Sequence, residues 1–226
     1  MNFLILGRGK TGSLVAQCAK ERHHHVRVLG ADENRGGKAL TPDLLRDVNA
    51  VIDFTAPTSV MDNIHACLRE KKNMVVGTTG WHAHADSVRA EVDKTGVGFL
   101  HGANFSVGVN LFFETVRCAA EALKHGYSGQ IFERHHHQKK DAPSGTSLVL
   151  QRIIKEASGI ELEITSFREG DVVGLHEVIF DSSNDRIYLC HDAKSRYGFA
   201  EGAVLGAEWL SGKTGFYDFK DMWREL

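Results

Sequence analysis

Within residues 133–146 the chain sets Glu133, Arg134, His135, His136, His137, Gln138, Lys139, Lys140 and Asp141 ahead of Ala142-Pro143-Ser144-Gly145-Thr146. An imidazole is the side chain best suited to moving protons near neutral pH. Ser144 or Thr146 can cap a helix whose apolar stripe is Val149, Leu150, Ile153, Ile154 and Ala157. Pro143 biases Ala142 toward extended backbone, so that helix cannot begin before it. Gly145 lets another group approach the backbone closely. Free N–H groups at the helix start, with Lys139 nearby, suit a carboxylate or phosphate. The stretch reads as a proton donor beside an anion clamp. The plainer alternative is a solvated, histidine-rich loop before an ordinary capped helix.

A second constellation lies at the front of the chain. Asn2 to Leu6 is a short apolar run, followed by Gly7-Arg8-Gly9-Lys10-Thr11-Gly12 and then by Leu14, Val15, Cys18 and Ala19 at helical spacing. Strand, G-x-G-x-x-G, helix is the context a dinucleotide turn requires. Its glycines allow a tight turn, close approach of a pyrophosphate and close helix–strand packing. The same pattern expects an acid about 20 residues on, at the end of the second strand. Asp32 and Glu33 stand there, and either suits the ribose 2′-OH of NADH; Arg35 suits the 2′-phosphate of NADPH. His23-His24-His25 reads as an exposed helix end.

The elements that hold these residues alternate through the first half. Residues 50–55, 74–76 and 97–100 read as buried strands; Thr41-Pro42, Pro57 and residues 84–94 mark helices between them. Alternation predicts an α/β fold, a Rossmann-type doubly wound parallel sheet. Its ligands belong at the carboxyl ends of strands, where Gly77-Thr78-Thr79 and Ala103-Asn104-Phe105 stand. Beyond Asn104 a helix over 108–124 precedes strands at 130–132, 162–167, 175–180 and 186–191. This clustering predicts a second α+β domain with an open mixed sheet. A helix over 200–210 and a turn at 211–215 close the chain.

At 226 residues with a formal charge of −2, the chain has room for one large or two modest domains and no electrostatic case for nucleic acid. Cys18, Cys67, Cys118 and Cys190 are scattered without a CxxC pair, which argues against a zinc site or disulfide framework and fits a reducing compartment. Three consecutive histidines on a strand alternate sides and rarely share one ion, so no metal is expected. No apolar run approaches the roughly 18 residues that span a bilayer, and Met1 leads straight into a strand. The expectation is a soluble cytoplasmic protein with no membrane partner.

The pattern Glu-x-His-His-x-x-Lys-x-Asp-Ala-Pro-Ser-Gly-Thr, carried by residues 133–146, resembles the signature of the dihydrodipicolinate reductase family. Segments 51–55, 76–80, 103–110, 168–174, 195–196 and 199–203 resemble family segments in the right order. The resemblance implies NAD(P)H-dependent reduction of 4-hydroxy-tetrahydrodipicolinate to tetrahydrodipicolinate in lysine and diaminopimelate biosynthesis. It makes His135 the proton donor, Lys139 a substrate-binding residue that assists protonation, and His136 a substrate contact. Ser144, Gly145 and Thr146 become the clamp on a carboxylate of a small dicarboxylate substrate. The Gly7, Gly9 and Gly12 turn, with Arg8, Lys10 and Thr11 between its glycines, meets the pyrophosphate. Gly77, Thr78 and Thr79, with Gly102, Ala103, Asn104 and Phe105, surround the nicotinamide. Residues 1–104 and 196–226 would form the dinucleotide-binding domain and 105–195 the substrate-binding and oligomerisation domain, commonly a homotetramer built through its sheet. His137-Gln138 is not a typical filling of the signature, the segment between Ala157 and Arg168 is short, and two further features depart from the family pattern. The glycine loop is one residue short, and Arg134 replaces a small residue; pointing inward, its cation would lower the pKa of a neighbouring imidazole.

Overall fold

Runs of four to eight residues become the strands of two sheets. The computed structural model describes residues 1–226, which form two units: Met1–Ser106 with Tyr197–Leu226, and Val107–Arg196. Residues 105 and 106 thus fall in the first unit and Arg196 in the second. The reason at the first boundary is Phe105, which is buried and packs on Phe219 with ring centroids 4.8 Å apart.

In the first unit, strands β1 (Asn2–Leu6), β2 (His25–Leu29), β3 (Ala50–Asp53), β4 (Asn73–Val76), β5 (Gly98–His101) and β10 (Gly215–Asp218) form a sheet in the order β10-β5-β4-β3-β1-β2. Every pairing is parallel. Helices cover both faces, which is why the strands are apolar at consecutive positions rather than alternately. Phe3 and Ile5 pack into one core with residues of α1 (Lys10–Glu21) and α7 (Tyr197–Trp209). Leu4 and Leu6 pack into the other with α2 (Pro42–Leu45), α3 (Val60–Arg69) and α4 (Ala85–Thr95). The small residues of α7 have a use: a Cβ added at Gly202 would lie 1.8 Å from the Phe105 carbonyl oxygen.

Three local expectations change. Strand β10 follows the turn at 211–215, over residues given no element in the sequence, because its half-exposed edge residues carry no buried pattern. Helix α3 begins at Val60 rather than Pro57, after a turn in which Ser59 and Val60 donate to the Ala56 carbonyl. His24 is not a free helix end. Its ring meets Glu208 at 2.6 Å and packs 4.6 Å from the Phe3 ring.

The second unit pairs β6 (Ser128–His135), β7 (Ile164–Arg168), β8 (Leu175–Asp181) and β9 (Arg186–Asp192) in the order β7-β6-β8-β9. The β6–β7 pair is parallel and the others antiparallel, so the sheet is mixed. Helices α5 (Val107–Ala119) and α6 (Gly145–Ser158) bury one face through Phe112, Val116, Leu150 and Ile154 against Ile131, Val178 and Phe180. Strand β6 is much longer than residues 130–132, since Glu133 and His135 alternate inward with Ile131. Charge at 133 and 134 disguised it as a loop.

Candidate active site

Strand β1 has β2 on one side and β3 on the other, so the winding of the first sheet reverses there. Ligands of such sheets settle in the crevice outside this switch point. A cavity of about 290 Å³ opens at that place, lined by Gly9, Lys10, Thr11, Phe54, Thr55, Pro57, Gly77, Thr78 and Thr79. Three glycines divide their roles. A Cβ at Gly7 would lie 2.2 Å from the Phe54 carbonyl oxygen, and one at Gly12 the same distance from the Gly7 oxygen. Internal packing therefore dictates both. Gly9 has nothing within 4 Å of its missing Cβ and caps α1 without a side chain. The first N–H groups of α1 have no intrahelical carbonyl to meet. Open space and free donors at one helix start fit a dinucleotide pyrophosphate.

The two acids after β2 are not equivalent. Glu33 accepts from the Gly30 N–H at 2.8 Å and pairs with the Arg8 guanidinium at 2.8 Å. The Gly30 bond first, then Arg8, holds its carboxyl below the usual range. Asp32 is almost fully exposed, with only a 3.5 Å contact to Arg35. Beneath the loops, Asp53 is fully buried at the end of β3 and accepts from Thr55 N, Thr55 Oγ1, Thr78 Oγ1 and Asn63 Nδ2 at 2.6–3.0 Å. Burial pushes its pKa up and these donors oppose that rise. Asp53 thus staples the Thr55 and Thr78 loops. Gly77 is required by the Phe54 ring, 2.2 Å from its missing Cβ. Further along, Ala103 is exposed, Asn104 Oδ1 accepts from Ser106 N at 2.8 Å, and Gly102 abuts Phe219. The Phe105 side chain belongs to the core and offers no surface to a ligand.

In the second unit the three consecutive imidazoles go three ways. His135 ends β6, buried, and its Nδ1 lies 3.0 Å from the Val173 carbonyl oxygen. That carbonyl can only accept, so Nδ1 carries a proton and Nε2 is left without a hydrogen-bond partner. His136 Nε2 meets the Arg196 guanidinium at 3.1 Å, and His137 Nε2 accepts from Gly170 N at 3.2 Å. Arg134 points to the opposite face of the sheet, paired with Glu169 and Glu177 and stacked 4.6 Å from the Phe167 ring. It therefore does not act on His135 as an inward cation would.

Glu133 sits two residues before His135 on the same face and is fully buried. Its Oε2 accepts from Ser144 N at 2.9 Å and Ser147 Oγ at 2.7 Å; Oε1 accepts from Arg168 Nη2 at 3.0 Å. Burial alone would raise its pKa, but the hydroxyls of Ser144, Ser147 and Ser166 and the Ser144 N–H outweigh that and hold it at about 2. Ser144 caps α6, its Oγ accepting from Ser147 N and lying 3.2 Å from His176 Nε2. His176, buried on β8, packs edge-on to His135 with centroids 5.2 Å apart. Burial, then the neighbouring His135, lowers its pKa to about 4. Burial also lowers His135, against the Val173 carbonyl and Glu133, which raise it. Glu133, His135 and His176 bring donor atoms within 4.8 Å of one another. Yet both Glu133 oxygens are already filled and Arg168 adds a positive charge beside them, so this is a hydrogen-bonded network rather than a cation site.

The clamp residues stand open. Gly145 is exposed with nothing within 4 Å of its missing Cβ, and Thr146 is half-buried beside it. Their N–H groups, in the first turn of α6, have no intrahelical acceptor. Lys139 is not free: its ammonium grips both Asp141 oxygens at 2.8 Å. Sequence reasoning passed over His176 and gave Glu133 no role; it placed Asp53, Arg168 and Arg196 in segments that resemble the family's, without a role for any of them. The available signal was a lone carboxylate inside an apolar strand, which costs too much to bury without dedicated donors.

A doubly wound sheet with a free glycine turn at its switch point, in one chain with a buried imidazole and an open helix N-terminus, defines a nicotinamide-dependent oxidoreductase. The descriptions of two matching family models narrow this: dihydrodipicolinate reductase, N-terminus, over residues 1–105, and C-terminus, over residues 108–223. The chain belongs to the dihydrodipicolinate reductase family. The 4-hydroxy-tetrahydrodipicolinate reductase of Christiangramia forsetii is 36% identical over 100% of this chain and 99% of its own. That of Neisseria gonorrhoeae is 35% identical over 95% of this chain and 93% of its own. The fold matches a dipicolinate-bound dihydrodipicolinate reductase from Paenisporosarcina sp. TG-14 at a TM-score of 0.81 and 20% identity, over 98% and 99% of the two chains.

The buried neutral His176 gives an acid-sensitive stability. Its folded pKa lies below the unfolded value of about 6.5, so the folded state binds fewer protons and loses stability as pH falls from about 6.5 to about 4. Denaturant titrations across that range should show the wild type losing on the order of 3 kcal/mol more than His176→Gln, which takes no proton. Equal losses would show that His176 is not buried neutral.

Proposed function

We propose that this enzyme reduces 4-hydroxy-tetrahydrodipicolinate to tetrahydrodipicolinate with NADH or NADPH, in lysine and diaminopimelate biosynthesis in the cytoplasm. The observation that carries the reading is His135: one ring nitrogen is tied to a carbonyl and the other is left unpartnered. Glu133, whose Oε2 lies 3.7 Å from His135 Nε2 and accepts from Ser144 N, connects this imidazole to the open start of α6. The named activity of the relatives supports it over their full lengths.

A bound nicotinamide supplies the hydride; position, charge and a proton come from the chain's residues. Free N–H groups of Gly145 and Thr146 receive one substrate carboxylate at the α6 N-terminus. Lys139 exchanges Asp141 for a carboxylate of the substrate, trading one ion pair for another. His136, with Nε2 held by Arg196, lines the same site through its ring. The 4-hydroxyl leaves as water as hydride and one proton are added; His135 gives that proton from Nε2 to the substrate ring, while Nδ1 keeps its bond to Val173 and so keeps the imidazole aimed. The neutral ring then regains a proton from solvent.

For the cofactor, Lys10, Thr11 and Gly9 hold the pyrophosphate, and Glu33 accepts from the ribose 2′-OH of NADH. Arg8, which leans on Glu33, meets the 2′-phosphate of NADPH when it turns away from that acid. The chain assembles as a homotetramer through the β6–β9 face that α5 and α6 leave uncovered. Phe132, Phe167, Ile179 and Tyr188 give that face its apolar character, and Tyr188 is half-exposed. No helix is long and apolar enough to cross a membrane.

His135→Ala should lower kcat by about 100-fold or more, the usual size of a general acid contribution, with the circular dichroism spectrum unchanged. An undiminished kcat would remove His135 from the reaction. Glu33→Gln should weaken NADH binding and raise the affinity for NADPH relative to NADH, each by about 1 kcal/mol or more in calorimetric titration. Unchanged affinities for both would mean that Glu33 does not meet the ribose.

A further inference from the structure

We infer that Glu133 is a positioning residue for the proton donor: its buried carboxylate, 3.7 Å from the unpartnered Nε2 of His135, favours the charged form of the donor imidazole against burial as well as tying down the α6 clamp. The inference rests on His135 being the donor, as proposed above. A buried imidazolium with no counter-charge is expensive, and desolvation drives such a ring toward neutrality. The charged and titratable groups facing His135 are Glu133 from its own strand, His176 from β8, Arg168 from the end of β7 and Lys139 from the loop after β6. Helix α6 contributes the Ser144 and Ser147 hydroxyls there but no charge. Among these groups Glu133 is the only acid. The remaining charges, Arg168 and Lys139, oppose the imidazolium, and His176 adds nothing that favours it.

The same carboxylate is prevented from neutralising itself. Donors from two elements, Ser144 and Ser147 on α6 and Arg168 on β7, hold it ionised. Its Oε2 is shared: it receives the cap residue of the clamp helix and faces the donor ring. One oxygen thereby fixes where the substrate carboxylate is held and the charge of the group that protonates the substrate. The sheet makes this geometry rigid, because residues two apart on β6 share a face and the β7 and β8 registers lock them.

The test is the titration of His135 in the full-length enzyme, followed by NMR of ¹³C-labelled histidine Cε1 and assigned with His135→Gln, beside the pH profile of kcat/KM. In Glu133→Gln the His135 titration should move down by about one unit or more, the size expected for a carboxylate lost at this range. A proton donor works only when charged, so the fall in kcat/KM with rising pH should move down by the same amount. Glu133→Asp, which keeps the charge, should restore most of both shifts. An unmoved titration in folded Glu133→Gln overturns the inference. A moved titration with an unmoved pH profile overturns the donor reading itself, and with it any catalytic meaning for Glu133. Should Glu133→Gln not fold, Ser147→Ala gives the opposite sign. Removing a hydroxyl that neutralises part of the Glu133 charge should raise the His135 titration by a few tenths of a unit, roughly the share of one hydrogen bond among several. No rise in that folded variant refutes the link as well.

Discussion

A single buried carboxylate carries the second unit. Taking Glu133 out of water is costly, and only complete hydrogen bonding makes it tolerable. The donors come from places far apart in sequence: the N-cap residue and first turn of α6, and Arg168 at the end of β7. Arg168 also donates to the Asp141 carbonyl oxygen at 2.5 Å, so the loop between β6 and α6 is tied to the same point. Removing one partner from such a network costs more than the network contributes over an apolar one, roughly 3–5 kcal/mol for a buried pair. The network sets positions: it ties the start of α6, the loop after β6 and the ends of β6 and β7 to one point.

The first unit solves a related problem in a related way. Asp53 is also a buried acid on an apolar strand, and it too is satisfied by loops that it thereby fixes. The two carboxylates differ in how burial is balanced. The Ser144, Ser147 and Ser166 hydroxyls and the Ser144 N–H outweigh burial and hold Glu133 at about 2, whereas burial outweighs the donors of Asp53 and raises it. The first is suited to act on a neighbouring cation; the second only holds the Thr55 and Thr78 loops around the cavity.

Much of this was legible in the sequence because the signals were local. The Gly7–Gly12 turn between a strand and a helix, and a hydroxyl cap at Ser144 or Thr146 after Pro143, are set by a few neighbouring residues; the structure has that turn and places the cap at Ser144. The alternation of strands and helices gave the doubly wound sheet for the same reason. What was hidden depends on long-range pairing. Nothing near His176 announces that β8 will bring it against His135, and β10 is a strand only because β5 offers it an edge. Glu133 looked like part of a charged loop, since its donors lie 11, 14 and 35 residues away. Arg134 likewise could not be placed until the alternation of β6 turned it outward onto Phe167.

The most direct measurement is the ionisation of Glu133 itself, by ¹³C NMR of the glutamate side-chain carboxyls with Glu133→Gln as the assignment control. At about pH 4 an ordinary glutamate is more than half protonated. The account predicts that the Glu133 signal in the folded enzyme still has the shift of a full carboxylate there, moving only toward about 2. A Glu133 that titrates with the exposed glutamates would contradict it, because an acid so easily neutralised could neither fix the clamp helix nor hold a charge beside His135.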